Sequence, residues 1–455
     1  MKENVLVVSY GSREAAMVDA LYRSAADFCI HVADKQRNPF NYETAQKTGG
    51  RHQVVPDLSV EGIYDFAKEI ERLRFVLCGS EGPIINGLTD RIEDSLGVPV
   101  IAPRQEYAIE SSKLRQRELV GEAAPEANIA YSVFRRNCPA GQAREFMRSL
   151  GYNIVIKPVN PTAGKGVVVS GDHFDTEEEA HRLFAERIAD GDVIVEEKVD
   201  GEESSFMAFC DGTNIVPVRA TRDYKRAFDD DKGPNTGGMG SYMDANDWLP
   251  FMTEADYVAE SGIVQRIFEK MGGNYGLKGM PFYVAFMHTK DGPKILEINS
   301  RPGDPEFMNV SSALETDFGE ICYGIVEGNL REIKIRPVAS VVTYLVPQTY
   351  GGKTPDWDGD RKVSTRKLRE MMLDRDENLR VYPGSMEMGD DVRFYMMKSR
   401  TLALVGIGET IEEARKRSVG AADLVEGDLW RRTDIASPEH IQKSIEHARE
   451  LRARK

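Results

Sequence analysis

The chain contains no apolar run long enough to cross a bilayer, which takes about 20 residues as an α-helix, so a membrane-spanning helix is not expected. It passes from Met1-Lys2-Glu3-Asn4 straight into the apolar Val5-Leu6-Val7-Val8, so no signal peptide is expected either. Cysteine is sparse: Cys29, Cys78, Cys138, Cys210 and Cys322 are odd in number and scattered. They read as reduced, buried thiols of a cytoplasmic protein. No C-x-x-C pair occurs and the seven histidines show no ligand spacing, which leaves no basis for structural zinc. Positive charge is in deficit, with 59 Lys and Arg against 74 Asp and Glu and a formal net charge of −15. Such a chain gains nothing from counterion release on DNA or RNA, so no nucleic-acid partner is expected and its basic groups must act locally. Neither G-x-x-x-x-G-K-[ST] nor G-x-G-x-x-G is present. The first absence excludes a P-loop; the second argues against a nicotinamide enzyme using Asp34 as its ribose carboxylate.

At 455 residues the chain has room for about three domains. The first hundred residues alternate strand and helix: strands over 4–9, 28–33 and 75–78, helices over 12–24, 60–72 and 88–96. A parallel, doubly wound sheet follows, whose ligands lie beyond the carboxyl ends of the strands, where Gly11 to Glu14 and Gly79 to Pro83 fall.

Three later segments carry chemistry. Leu296-Glu297-Ile298-Asn299 places a carboxylate and an amide on one face of a strand, a pair able to hold a hard cation such as Mg²⁺, with Arg301 beside anything phosphorylated. Alone it could be the exposed face of an amphipathic strand. Ile154-Val155-Ile156-Lys157-Pro158 leads through Pro161-Thr162-Ala163-Gly164-Lys165-Gly166 to Val167-Val168-Val169, a small-residue loop that lets backbone N–H groups and two lysines approach phosphate. Alone it could be a glycine hairpin. Val193-Ile194-Val195-Glu196-Glu197-Lys198-Val199 breaks into Asp200-Gly201-Glu202-Glu203, offering an apolar slot for adenine and carboxylates for ribose, or simply an acidic turn.

In this order and spacing the three segments resemble the ATP-grasp superfamily of carboxylate-amine ligases. Nearly the whole chain resembles the phosphoribosylamine-glycine ligase family, its archaeal branch in particular. The carrying residues are Gly11-Ser12-Arg13-Glu14, Gly79-Ser80-Glu81-Gly82-Pro83-Ile84, Ser112-Lys113, the Lys157 and Lys165 loop, Glu196 to Glu203, Asp223-Tyr224-Lys225-Arg226, Gly233-Pro234-Asn235-Thr236-Gly237-Gly238-Met239-Gly240, and Glu297 to Glu306.

The resemblance implies an α/β multidomain fold: a Rossmann-like N-terminal domain over 1–103, an ATP-grasp domain over 104–335 with a lid at about 122–199, and a strand-rich domain over 336–455. The charged closing segment, Pro438 to Lys455, reads as a solvated helix. It implies ATP-dependent joining of glycine to 5-phosphoribosylamine in purine biosynthesis, with Mg²⁺ or Mn²⁺, by a cytoplasmic monomer or dimer. By the same resemblance Lys113, Lys157, Lys165, Glu196, Glu197, Val199 and Glu203 bind ATP, and Glu297 and Asn299 hold metal. Lys157, Lys165 and Arg301 serve catalysis. Arg13, Glu81, Asp223, Lys225, Arg226, Asn235, Thr236, Gly237, Gly238, Asp304 and Glu306 bind substrate, with Arg13, Lys225 and Arg226 as the phosphate clamp.

The chain departs from the family at Tyr10, Ala15, Pro302 and Ala285, the last where archaeal members can carry a glutamine ligand, and over Lys35 to Phe40. Most departures crowd the sugar-phosphate side, so a ligase of the same architecture acting on another amine or amino acid is the alternative.

Overall fold

The computed structural model of the chain describes residues 2–159, 166–372 and 377–454. Its N-terminal part is a five-stranded parallel sheet in the order His52–Val54, Phe28–Asp34, Glu3–Ser9, Leu73–Cys78, Val100–Ile101. Val5 to Val8 are fully buried, as a strand covered on both faces requires. The strand order reverses beside Glu3–Ser9, and the crevice this opens holds the turns after Ser9 and Cys78.

One helix here escaped the sequence reading. Pro39–Thr48 starts at Asn38, whose side chain accepts from the backbone N–H groups of Phe40 and Asn41, and ends at Gly49 with φ of 85°. N-cap Asn, first-turn Pro and left-handed Gly are ordinary helix punctuation. Two short turns, Gln105–Tyr107 and Ile109–Ser111, precede the helix Lys113–Ala123, whose start is set by Ser112 accepting from Arg115 N.

The middle of the chain forms a small antiparallel sheet, ordered Tyr131–Phe134, Val193–Glu197, Ile154–Pro158, Val168–Val169. Helices Ala140–Ser149 and Glu177–Asp190 supply it with a core of its own around Phe134, Met147 and Phe184.

The large sheet runs Gly292–Asn299, Lys278–Thr289, Glu202–Asp211, Thr221–Asp223, Gly240–Met243, Ala339–Pro347, Leu402–Gly408, Leu379–Pro383. Its strands Gly240–Met243 and Ala339–Pro347 pair antiparallel, so the sheet continues across residue 335 into the tail. The closing helix Pro438–Ala453 is not solvated all round: Ser444, Ala448 and Leu451, spaced i, i+4, i+7, are buried against the sheet.

Candidate active site

The strand Gly292–Asn299 ends the large sheet, and an edge strand must have its open N–H and C=O groups met. Side chains from residues 110–117, far earlier in the chain, do this. Gln116 Oε1 accepts from Ile298 N at 2.9 Å, and Glu110 Oε2 accepts from Ser300 N at 2.9 Å. Arg117 donates to the carbonyls of Ile295 at 2.7 Å and Leu296 at 2.8 Å. The same guanidinium donates to Glu196 Oε1 at 2.7 Å, and Lys157 Nζ lies 2.6 Å from Glu196 Oε2. Burial pushes the Glu196 carboxyl up, but Lys157 and Arg117 outweigh it and hold it down at about 2. This charged pair of contacts ties the small sheet to the strand carrying Glu297.

Glu297 and Asn299 flank buried Ile298 and face the cleft. Burial raises the Glu297 carboxyl, yet Lys225, Lys157, Arg301 and Lys113 together bring it below its ordinary value. Lys225 Nζ lies 3.9 Å from Glu297 Oε1 and also bonds Glu203. Asn299 Oδ1 accepts from Arg301 Nη2 at 3.3 Å, while its buried Nδ2 has no hydrogen-bond partner in the structure. Ala285 stands directly opposite Glu297 in the ladder and offers no donor. Among the described residues no three His, Cys, Asp or Glu side chains cluster as a metal site. An anionic carboxylate beside an amide oxygen, with cations gathered for phosphate, nevertheless fits a Mg²⁺-like ion, which commonly takes one or two protein oxygens and completes its shell with phosphates and water.

Beyond Asn299, the Arg301 guanidinium reaches Glu110 Oε1 at 3.5 Å and Glu81 Oε2 at 3.9 Å and lies over the Tyr283 ring. Burial drives the Glu110 carboxyl up to about 7 despite Arg301. Asp223 and Glu306 are both buried; burial and then the Glu306 charge hold the Asp223 carboxyl well above its usual range. Asp223 Oδ1 has no partner in the structure, and Glu306 accepts from Ser205 Oγ at 3.0 Å. Gly238, at φ of 104°, passes so close that a Cβ there would lie 2.6 Å from Asp223 Oδ1. Only glycine fits.

Arg400 was not foreseen. Its guanidinium donates to Asp304 Oδ2 at 2.8 Å and Asp304 O at 2.9 Å, and also to Gly237 O and Gly238 O. Tyr344 OH donates to Asp304 Oδ1 at 2.7 Å. The tail thereby pins the glycine-rich loop to the turn after the strand carrying Glu297. Thr236 Oγ1 donates to Lys225 O at 2.9 Å, and Asn235 sits exposed in the hairpin opposite Arg226. A cavity of about 550 Å³ opens beside these groups, between the N-terminal turn at Tyr10 and the tail, lined also by Lys35, Arg361 and Lys398.

The structure thus gathers Lys113, Lys157, Lys225, Arg301 and Glu203 around Glu297, and places Glu197 and Val199 where the small sheet passes into the large one. It does not bring Arg13, Lys225 and Arg226 together. Arg13 is spent on Glu14, at 2.6 and 2.8 Å, and on Pro302 O at 2.9 Å, while Arg226 bonds Asp172 and Gly233 O. Lys165 and its loop, residues 160–165, lie outside the described residues.

A cleft between a small sheet and a large sheet, with an E-x-N pair among lysines, is the arrangement expected of an ATP-grasp ligase. Residues 3–110 match the family model of the phosphoribosylglycinamide synthetase N domain, and residues 112–307 that of its ATP-grasp (A) domain. Phosphoribosylamine–glycine ligase of Pyrococcus furiosus is 35% identical over 452 residues, covering 98% of each chain, and that of Methanocella arvoryzae 36% identical over 453, covering 98% of this chain and 99% of its own. The chain belongs to the phosphoribosylamine–glycine ligase family. The crystal structure of the Thermotoga maritima ligase superposes with a TM-score of 0.72 at 23% identity, covering 95% of this chain and all of its own. A biotin carboxylase domain from Hydrogenobacter thermophilus 2-oxoglutarate carboxylase reaches 0.71 at 15% identity, covering all of this chain and 96% of its own, a likeness of fold. Among the described residues no helix is long and apolar enough to cross a membrane.

Proposed function

We propose that the chain joins glycine to 5-phosphoribosylamine, converting ATP to ADP and phosphate and yielding glycinamide ribonucleotide. The observation that carries this reading is the convergence of Lys113, Lys157, Lys225 and Arg301 on Glu297. A carboxylate is a poor electrophile, so glycine is first phosphorylated; the amine then attacks the acyl phosphate carbon and phosphate leaves. No protein nucleophile is needed. Catalysis is positioning and charge neutralisation.

Lys113, Lys157 and Lys225 neutralise the nucleotide phosphates, Glu197 to Val199 border the adenine slot and Glu203 meets ribose. Glu297 and Asn299 would hold Mg²⁺ or Mn²⁺, which when bound neutralises charge on the phosphates. Arg301 takes the glycine carboxylate, and the buried pair Asp223 and Glu306 suits an ammonium group. The small sheet keeps water from the acyl phosphate. We read the sugar phosphate into the 550 Å³ cavity, with its phosphate toward Lys35, Arg361 and Lys398. Arg13 then acts as a brace for Pro302, not as a clamp. Small molecules in a cytoplasmic setting are its partners in this reading. ADP release measured with and without each substrate tests it: release should require ATP, glycine and 5-phosphoribosylamine together, and Lys398→Ala with Arg361→Ala should raise the KM for the aminosugar alone.

A further inference from the structure

Strand residues alternate between faces, and at the active site this alternation divides two jobs. Glu203, Asp223 and Lys225 face the cleft. Their neighbours Glu202, Arg222 and Tyr224 face the other way, onto the closing helix Pro438–Ala453. Arg222 Nη1 donates to Glu202 Oε2 at 2.5 Å and to Ser444 Oγ at 2.8 Å. His447 Nδ1 lies 2.7 Å from Glu202 Oε1. The Tyr224 hydroxyl accepts from Ala436 N at 2.9 Å, and its ring packs 5.0 Å from that of His440. Arg432, almost wholly buried, donates to Arg226 O at 3.0 Å and to Asp231 at 2.8 Å, and His440 holds the same Asp231 at 2.9 Å.

We propose that the C-terminal helix is a positioning element of the active site, fixing Glu203, Asp223 and Lys225 through the residues that alternate with them. Arg222 and Glu202 are both nearly buried, so their ion pair has little freedom to shift unless the helix moves. Ser444 and His447 complete its hydrogen bonds from the helix side. A misplacement of about 1 Å at a reacting group can cost about 10²-fold in rate, so loss of two back-side contacts is enough to be read in turnover. The helix touches no substrate; Ser444 and His447 act through Glu202 and Arg222.

The proposal rests on the ATP site read above, and a mutant cycle in the full chain separates the two. Ser444→Ala with His447→Ala should lower the affinity for Mg²⁺-ATP, measured by titration calorimetry, about tenfold and kcat at least as much. In a background carrying both Lys225→Ala and Glu203→Ala, where the two nucleotide-binding groups being positioned are gone, the same two changes should alter ATP affinity less than twofold. His447→Asn, which keeps a donor near the Nδ1 position, should restore affinity to within twofold of the parent. Should the double change not fold, His447→Ala alone carries the comparison. An equal loss of ATP affinity in both backgrounds, or no loss in either, overturns the positioning role. If Lys225→Ala by itself leaves ATP binding unaltered, the site reading falls and takes the proposal with it.

Discussion

Replacing Glu297 by Gln separates stability from catalysis. The nearest cation among the described residues, Lys225, is 3.9 Å away, a contact worth about 4 kcal/mol at an effective dielectric of about 20. The Glu297 side chain is 43% exposed to the cleft, so solvent screening cuts the net contribution to about 1 kcal/mol. Folding should therefore barely notice the change. Turnover should: losing one charge contact made in the transition state typically costs about 10²–10³-fold in kcat. The cluster of cations also fixes a sign for binding. Without metal, removal of a carboxylate from among Lys113, Lys157, Lys225 and Arg301 should leave ATP affinity unchanged or higher; with Mg²⁺ it should fall. A coupled ADP-release assay at varied Mg²⁺, with calorimetric titration of ATP with and without metal, reads both. A kcat within threefold of the parent, or weaker ATP binding in the absence of metal, would refute the reasoning.

Arg400→Ala removes one partner of a buried pair whose side chains are 12% and 10% exposed, which should cost about 3–5 kcal/mol and lower kcat/KM for glycine and the aminosugar while the KM for ATP stays within twofold; thermal unfolding and initial rates check it. Glu110, held up at about 7 from an ordinary 4.5, keeps a proton in the folded state that the unfolded state has lost, so its contribution is full below about pH 4.5 and disappears as pH rises through 7. Glu110→Gln should flatten that fall, by at most about 3 kcal/mol between pH 4.5 and 8 in denaturant midpoints. Asp317 caps the helix Phe318–Glu327 by accepting from Gly319 N and Glu320 N, and also accepts from Ser24 Oγ and Ala25 N of the N-terminal part. Asp317→Ala should cost about 1–2 kcal/mol in urea unfolding and leave kcat unchanged.

What could be read from the sequence was local. The alternation of Val5 to Val8 with the following helix marks the parallel sheet, and the i, i+2 spacing of Glu297 and Asn299 marks their shared face. Even the missed helix Pro39–Thr48 carried its signals in Asn38, Pro39 and Gly49. The braces are a different matter. Arg117 meets Leu296 across 179 residues, and Arg400 meets Gly237 across 163. No spacing rule links such positions; Gly237-Gly238 announces that something approaches closely, without naming Arg400. The phosphate clamp expected of Arg13, Lys225 and Arg226 met a further obstacle, since each arginine finds a nearer carboxylate, Glu14 or Asp172, and Lys225 finds Glu203. Sequence gives charge but not which opposite charge lies nearest. The closing helix shows the same gap: its charged sequence reads as solvated, whereas Ser444, Ala448 and Leu451 are buried against a sheet that no local spacing places beside it.

The central claim is that glycine and 5-phosphoribosylamine are the pair this cleft joins. The most direct measurement is the stoichiometry of ADP and glycinamide ribonucleotide formed by the purified protein, with glycine and the aminosugar supplied singly and together, against a panel of other amines and amino acids. One ADP per glycinamide ribonucleotide, appearing only when both are present, is the result predicted. Equal or faster ligation of another amine, with 5-phosphoribosylamine ignored, would contradict it.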